Sequence, residues 1–265
     1  MCGIVGYCGP KPATEVLLEG LKRLEYRGYD SAGICVGDGE TFQTYKRKGK
    51  VRDLREIIPE EVGGLYGIGH TRWATHGGVN DQNAHPHSDD QNNLVVVHNG
   101  IIENYQALKN KLISDGHTFK SETDTEVIAQ LIAVMYKGNL EQAVREAVYL
   151  LKGTYGLAVV HRDEPGKIVG ARNGSPLVIG VGEGEMFLAS DVMAMMAHTK
   201  SAIYMEDGEL VSMTKDSYKM FDINDQHIEK QVEHIHWELE QLEKNGYTTF
   251  MEKEIHEQGQ SIQRA

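Results

Sequence analysis

The sequence has no uninterrupted apolar stretch near the ~20 residues that a membrane-spanning helix needs, so a membrane is not an expected partner. Cysteine is scarce. Three in 265 residues, at Cys2, Cys8 and Cys35, cannot make a disulfide scaffold, and the odd count suits a reducing compartment. Basic residues are in deficit: 27 Lys+Arg stand against 39 Asp+Glu, a formal net charge of −12. General nucleic-acid binding needs a basic surface, so that class is excluded as well. The opening MCGIVGYCGP has neither a basic segment nor a long apolar one, and does not read as a secretion signal. A cytoplasmic location is the expectation. Internal repeats and low-complexity tracts are lacking too. What is present is 40% hydrophobic and 25% charged, ordinary for a globular chain of one large domain or two small ones.

Strand and helix signals then alternate. Gly3–Tyr7 and Ile34–Val36 are apolar runs bounded by glycine and suit buried strands. Leu17, Leu18, Leu21 and Leu24 recur at helical spacing after Pro12. Leu94–His98 (LVVVH) is the most β-branched run and reads as a central strand. Tyr105, Leu108 and Leu112 mark a helix. Thr123 with Glu126 forms a capping-box pattern ahead of an apolar helix, and Asn139 caps another. From Gly153 onward the pattern becomes a series of short strands with turn signals between them. Helices flanked by short, mainly antiparallel strands give an α+β class. Beyond about Asp222 the chain turns acidic: residues 222–265 hold 4 basic and 10 acidic residues, 4 − 10 = −6. Val232, Ile235, Leu239 and Leu242 predict a surface helix there, and MEKEIHEQGQSIQRA reads as a linker.

The position of one cysteine matters more than the count. If Met1 is removed, Cys2 carries a thiol and the chain's α-amino group on one residue. An α-amine has a reference pKa of about 7.7–8.0 and accepts a proton near neutral pH. A thiol beside such a base is an activated nucleophile. Gly3 and Gly6 leave room for a substrate, whereas Cys8 and Cys35 sit in apolar stretches and read as structural. HTRWATHGGVN (70–80) is a polar loop after a strand, and Arg72 in it offers a planar fork for a carboxylate or a structural partner for an Asp. Asn99–Gly100 ends the LVVVH strand. Its two uncharged N–H donors suit an oxyanion hole, or simply a turn. Asp124 opens a helix, either as a dipole-stabilising acid or as the partner of a ligand's ammonium.

Other patterns carry less. His85–Pro86–His87 and His234–Ile235–His236 lack a recognised zinc spacing, so no metal is expected. The glycines at 180–184 have glutamates among them and no following helix, which argues against a phosphate cradle. Lys46–Lys50 reads as a solvated face.

Taken together, the run from Cys2 to Tyr7, LEYRGYDSAG (24–33), HTRWATHG (70–77), NAHPH (83–87), VVVHNGIIENY, SETDTEVI, NGSPLVIG (173–180), LASD (188–191) and MEKEIHEQ closely resemble the glutamine–fructose-6-phosphate aminotransferases, also called glucosamine-6-phosphate synthases. The opening motif alone would fit any class II glutamine amidotransferase. The resemblance covers this chain but only the first half of that family's length. It implies the four-layer αββα N-terminal nucleophile hydrolase fold, with two stacked, mainly antiparallel sheets between helical layers. It implies a glutaminase domain over 2–221 and, over 222–265, an acidic segment starting a linker to sugar isomerase domains. Cys2 would attack the glutamine side-chain amide, form a γ-glutamyl thioester, release ammonia and yield glutamate. Asn99 and Gly100 would hold the oxyanion, Arg72 the α-carboxylate and Asp124 the α-ammonium. Trp73, Thr75, His76 and Gly77 would lie on a closing loop, with Arg27 and His85 in support. No cofactor is implied. Fructose 6-phosphate would be a partner only through the other half, which in the full enzyme takes the ammonia to make glucosamine 6-phosphate for hexosamine synthesis as a homodimer.

Overall fold

The computed structural model describes residues 2–236, 247 and 250–264. Two sheets make the frame. The first holds β1 (Gly3–Cys8), β2 (Ser31–Gly37), β3 (Phe42–Lys48), β4 (Tyr66–Arg72), β9 (Val178–Val181), β10 (Met186–Ala189), β11 (Ser201–Tyr204) and β15 (Glu233–His234). Their order is β15-β11-β9-β10-β1-β4-β2-β3. The second holds β5 (His87–Ser88), β6 (Leu94–Ile102), β7 (Gly153–His161), β8 (Ile168–Asn173), β12 (Glu209–Met213), β13 (Tyr218–Asp222) and β14 (His227–Ile228), in the order β14-β13-β12-β8-β7-β6-β5. The pairings between these strands are antiparallel.

Alternation along the strands builds the layers. In β1, Val5 and Tyr7 face α1 (Ala13–Arg23), while Ile4 and Cys8 face the second sheet. In β6, Leu94 and Val96 pack on α4 (Asp124–Met135) and α5 (Leu140–Leu150), while Val95 and Val97 meet Ile4 and Leu188 between the sheets. The result is αββα, the fold that the resemblance implied. Cys8 and Cys35 lie in the inter-sheet core, where burial pushes both thiols up, Cys35 to about 12. Thr123 caps α4 by accepting the Glu126 N–H at 3.3 Å. The capping box forms only by half: Glu126 turns to the N–H groups of Lys120 and Ser121, because Ser121 Oγ already takes the Thr123 N–H. Asn139 Oδ1 caps α5 at the Gln142 N–H as expected.

Two expectations need correction. LVVVH does not lie at the centre of its sheet. β6 is second from the edge, with only β5 outside it. Its run of β-branched residues reflects burial on both faces, not many flanking strands. The surface helix expected near Val232–Ile235 is not formed either. Residues 227–228 and 233–234 are short strands, one in each sheet, pairing Met220 with Ile228 and Ser201 with His234. Ile235 is buried against the α1 side of the first sheet. Open strand edges supplied backbone hydrogen bonds that a thin apolar stripe could not outweigh. Leu239 and Leu242 lie outside the described residues. The stretch read as a linker contains an α-helix, α6 (Phe250–Arg264), following α2 (Val51–Arg55) and α3 (Tyr105–Ser114) in the helix count.

Strand pairing therefore continues past Asp222. Ile235→Ala should lower the unfolding free energy by about 2 kcal/mol, read from urea midpoints. An unchanged midpoint would make 223–235 a tether rather than part of the sandwich.

Candidate active site

Register brings the reactive groups together. Gly3 pairs with Thr71, so Cys2 comes level with Arg72. The Trp73 N–H donates to Cys2 Sγ at 3.1 Å, and the thiol lies 3.5 Å from the Trp73 carbonyl. β6 arrives from the other sheet. By alternation His98 and Gly100 fall on its helix side and Asn99 on the side facing the first sheet. The Asn99 Nδ2 accordingly donates to the Cys2 carbonyl at 3.0 Å. Gly100 has φ +135°, and a Cβ there would stand 2.0 Å from the Thr154 carbonyl oxygen, so glycine is required.

Cys2, Arg72, Trp73, Thr75, His76, His85, Gly100 and Asp124 line one cleft, together with His98, Thr123 and Thr125. Asn99 is close behind it on the Cys2 carbonyl. Gly77 shapes the 73–78 loop at φ +77° without lining the cleft. Arg27 is not brought in: its Nη1 donates to Asp191 Oδ2 at 3.0 Å, where Tyr26 also donates. The cleft offers about 20 Å³, room for about one water. A free amino acid does not fit the cleft in this arrangement.

The loop is held at both ends. Ala74 N–H donates to Asp30 Oδ2 at 2.8 Å. Gly78 N–H and the Asn83 amide both donate to Glu122 Oε2, at 3.2 and 2.9 Å. Arg72, itself buried, donates to the carbonyls of His76 and Gly78. Burial works against its charge, and Cys2, Asp30 and Asp124 work to keep it. Trp73 is half exposed with its ring against Tyr29. Asp124 accepts the Ile102 N–H at 2.9 Å through Oδ2 and stands 4.0 Å from His98 Nδ1. So a cation and an anion face one cleft beside the thiol. Burial pushes the Cys2 thiol up, against the pull of the Trp73 N–H and of Arg72. Burial of this kind disfavours the thiolate.

Sequence reading placed His85 near the site but missed the histidines around it. His70, His87 and His98 are buried with it. The His70 and His85 rings lie with centroids 4.1 Å apart and planes tilted by 30°, and His87 meets His85 edge-on. Thr125 Oγ1 lies 3.1 Å from His98 Nδ1 and 3.2 Å from His85 Nε2. His98 Nε2 is 3.3 Å from the Thr154 carbonyl, which can only accept, so Nε2 carries the proton and Thr125 donates to Nδ1. The signal was available: His70 and Arg72, like His98 and Gly100, are two apart on a strand and share a face.

These features define a class. A cysteine stands just ahead of β1 of an αββα sandwich, with the Asn99 amide on its carbonyl and an Arg/Asp pair in its cleft. The chain belongs to the glutamine amidotransferase domain family, which matches residues 53–258. It resembles the solved glutamine phosphoribosylpyrophosphate amidotransferase from B. subtilis complexed with ADP and GMP, with a TM-score of 0.74 and 28% identity over 84% of this chain and 49% of that one. A structure described as the allosteric regulatory enzyme of purine biosynthesis gives 0.75 and 30%, with the same coverage. In sequence it is 53% identical to the glutamine–fructose-6-phosphate aminotransferase (isomerizing) of Thermococcus kodakarensis, over 100% of this chain and 45% of the relative. For the Clostridium perfringens protein of that name the figures are 49%, 99% and 43%. The chain thus spans less than half the length of the curated relatives it matches.

Burial lowers His70 to about 3, drives His85 and His87 well below their ordinary value, and lowers His98 against the pull of Asp124. The unfolded chain therefore takes up protons first, near pH 6.5. Stability is full above that pH and is lost as pH falls. Unfolding free energies from urea titrations should drop between pH 6.5 and 4.5 with a slope above the ~1.4 kcal/mol per pH unit of one proton. A flat profile would contradict buried neutral histidines.

Proposed function

We propose that this domain hydrolyses glutamine to glutamate and ammonia through a γ-glutamyl thioester on Cys2. The observation that carries the reading is the cleft itself: the thiol shares it with Arg72 and Asp124, opposite charges suited to the α-carboxylate and α-ammonium of a free amino acid. With Met1 removed, the Cys2 α-amine takes the thiol proton, and sulfur attacks the side-chain amide carbon. Asn99 Nδ2 and the Gly100 N–H hold the oxyanion. The amine's proton passes to the departing nitrogen, ammonia leaves, and water then cleaves the thioester to glutamate. The raised thiol pKa supports this order, since it leaves the base a task.

Arg72 now rests on the carbonyls of His76 and Gly78. An incoming carboxylate takes their place. Loop opening and substrate binding are thereby the same event, and Trp73, Thr75, His76 and Gly77 travel with the loop. His85 backs the site from its floor. Arg27 acts at a distance, through Asp191. A hydrolase for acylated amines would need an apolar pocket, and this cleft is lined by charged, hydroxyl and imidazole groups.

The whole protein's reading follows from the relatives' name. The ammonia made here would aminate fructose 6-phosphate in a second portion of a homodimeric, cytoplasmic enzyme, yielding glucosamine 6-phosphate. The glutaminase unit would run from Cys2 through the strands that end near Ile235, with the following residues leading to that portion.

An extension that keeps a residue ahead of Cys2 should abolish glutamate release from glutamine while the far-UV spectrum is unchanged; normal turnover of the extended protein would exclude the α-amine as base. Asp124→Asn should raise KM for glutamine on the order of 100-fold, the scale of truncating one partner of a desolvated charge pair, with a small change in melting temperature. Unchanged kinetics would reduce Asp124 to a helix-terminus residue.

A further inference from the structure

The Asn99 amide is useful only one way round. Its oxygen and nitrogen occupy equivalent positions, and a half-turn about the side chain would aim a carbonyl at a developing oxyanion. The surroundings settle the orientation. His70 Nε2 lies 3.0 Å from the His98 carbonyl oxygen and 3.0 Å from Asn99 Oδ1. A backbone carbonyl can only accept, so His70 Nε2 must carry the hydrogen. The Asn99 atom facing it must then be the oxygen, and the nitrogen faces Cys2. His70 is fully buried, and its other nitrogen, Nδ1, has no partner among the described residues. Only the Nε2 end of the ring is engaged in hydrogen bonding. The His85 ring lies against it, centroids 4.1 Å apart and tilted by 30°.

We infer that His70 is a positioning residue for the oxyanion hole: its Nε2–H, shared between the His98 carbonyl and Asn99 Oδ1, locks the Asn99 amide with Nδ2 toward the reacting carbon. This deepens the glutaminase reading and rests on it. His70 touches no substrate. It ties β4 of one sheet to β6 of the other at the point where the nucleophile and its oxyanion donor meet. Burial keeps the ring neutral through the working pH range, so the tie does not switch with pH. A role in orientation falls on the transition state, because the substrate's backbone charges are held elsewhere, by Arg72 and Asp124.

Three substitutions separate orientation from packing. Gln places its amide nitrogen where Nε2 stands, Asn places its own where Nδ1 stands, and Leu supplies neither. His70→Gln should keep kcat within about threefold of the parent, while His70→Asn and His70→Leu should lose about 100-fold in kcat with KM for glutamine little changed. The γ-aldehyde of glutamate, whose adduct with the thiol puts an oxygen in the hole, should weaken in proportion to kcat. Glutamate affinity should stay constant. Melting temperatures check folding, and if His70→Leu does not fold, the Gln and Asn pair still decides. Equal kcat for His70→Gln and His70→Asn, or a loss that appears in KM alone, overturns the inference. Asn99→Ala run alongside tells which reading failed. If it loses about 100-fold while His70→Asn does not, only the positioning role is lost. If it turns over normally, the oxyanion assignment falls and the positioning role falls with it.

Discussion

The pairing of β1 with β4 places the thiol and the groups nearest to it. Gly3 stands opposite Thr71, which sets Cys2 beside Arg72 and lets the Trp73 N–H reach the thiol. A slip of one residue would turn Ile4 and Cys8 out of the inter-sheet core and carry Cys2 away from the cleft. The fully buried side chains of β1 and β4 oppose that slip, so the register that makes the core also makes the site. The second sheet adds its part by the same rule. Alternation in β6 sends Val95, Val97 and Asn99 toward the first sheet, and the last of them meets the Cys2 carbonyl.

Electrostatics at the site follow from burial. A thiol pushed up by desolvation is a poor nucleophile until a base takes its proton, and the residue that carries the thiol is also the one whose amine can serve. The histidines on the floor are held neutral and do not compete for that task. They act as fixed donors and acceptors. The opposite charges of Arg72 and Asp124 and the backbone of Gly100 line one cleft with the thiol.

Much of this was legible in the sequence, for physical reasons. Residues that carry chemistry sat in glycine-bounded motifs; the strand and helix signals gave the α+β class, and the αββα arrangement came from the family resemblance those motifs carry. Cys2, Arg72, Gly100 and Asp124 come together as their types suggested. What was not legible depends on tertiary partners. LVVVH looked central because both its faces are apolar, and sequence cannot say how many strands flank it. Val232 and Ile235 looked helical because open sheet edges elsewhere cannot be seen from local spacing. Glu126 formed half a capping box because Ser121 had already taken its partner. His70 and His98 stood in quoted motifs without a role, since only the meeting of β4 and β6 gives them one. Arg27 sat in a telling motif and yet pairs with Asp191, away from the cleft.

The central claim is that Cys2 carries the acyl group. Acid-quenching the enzyme during glutamine turnover and mapping its N-terminal peptide by mass tests it most directly. The account predicts a γ-glutamyl adduct on a Cys2 that has lost Met1. Turnover with that adduct on another residue, or with Cys2 unmodified while Met1 is retained, would contradict it.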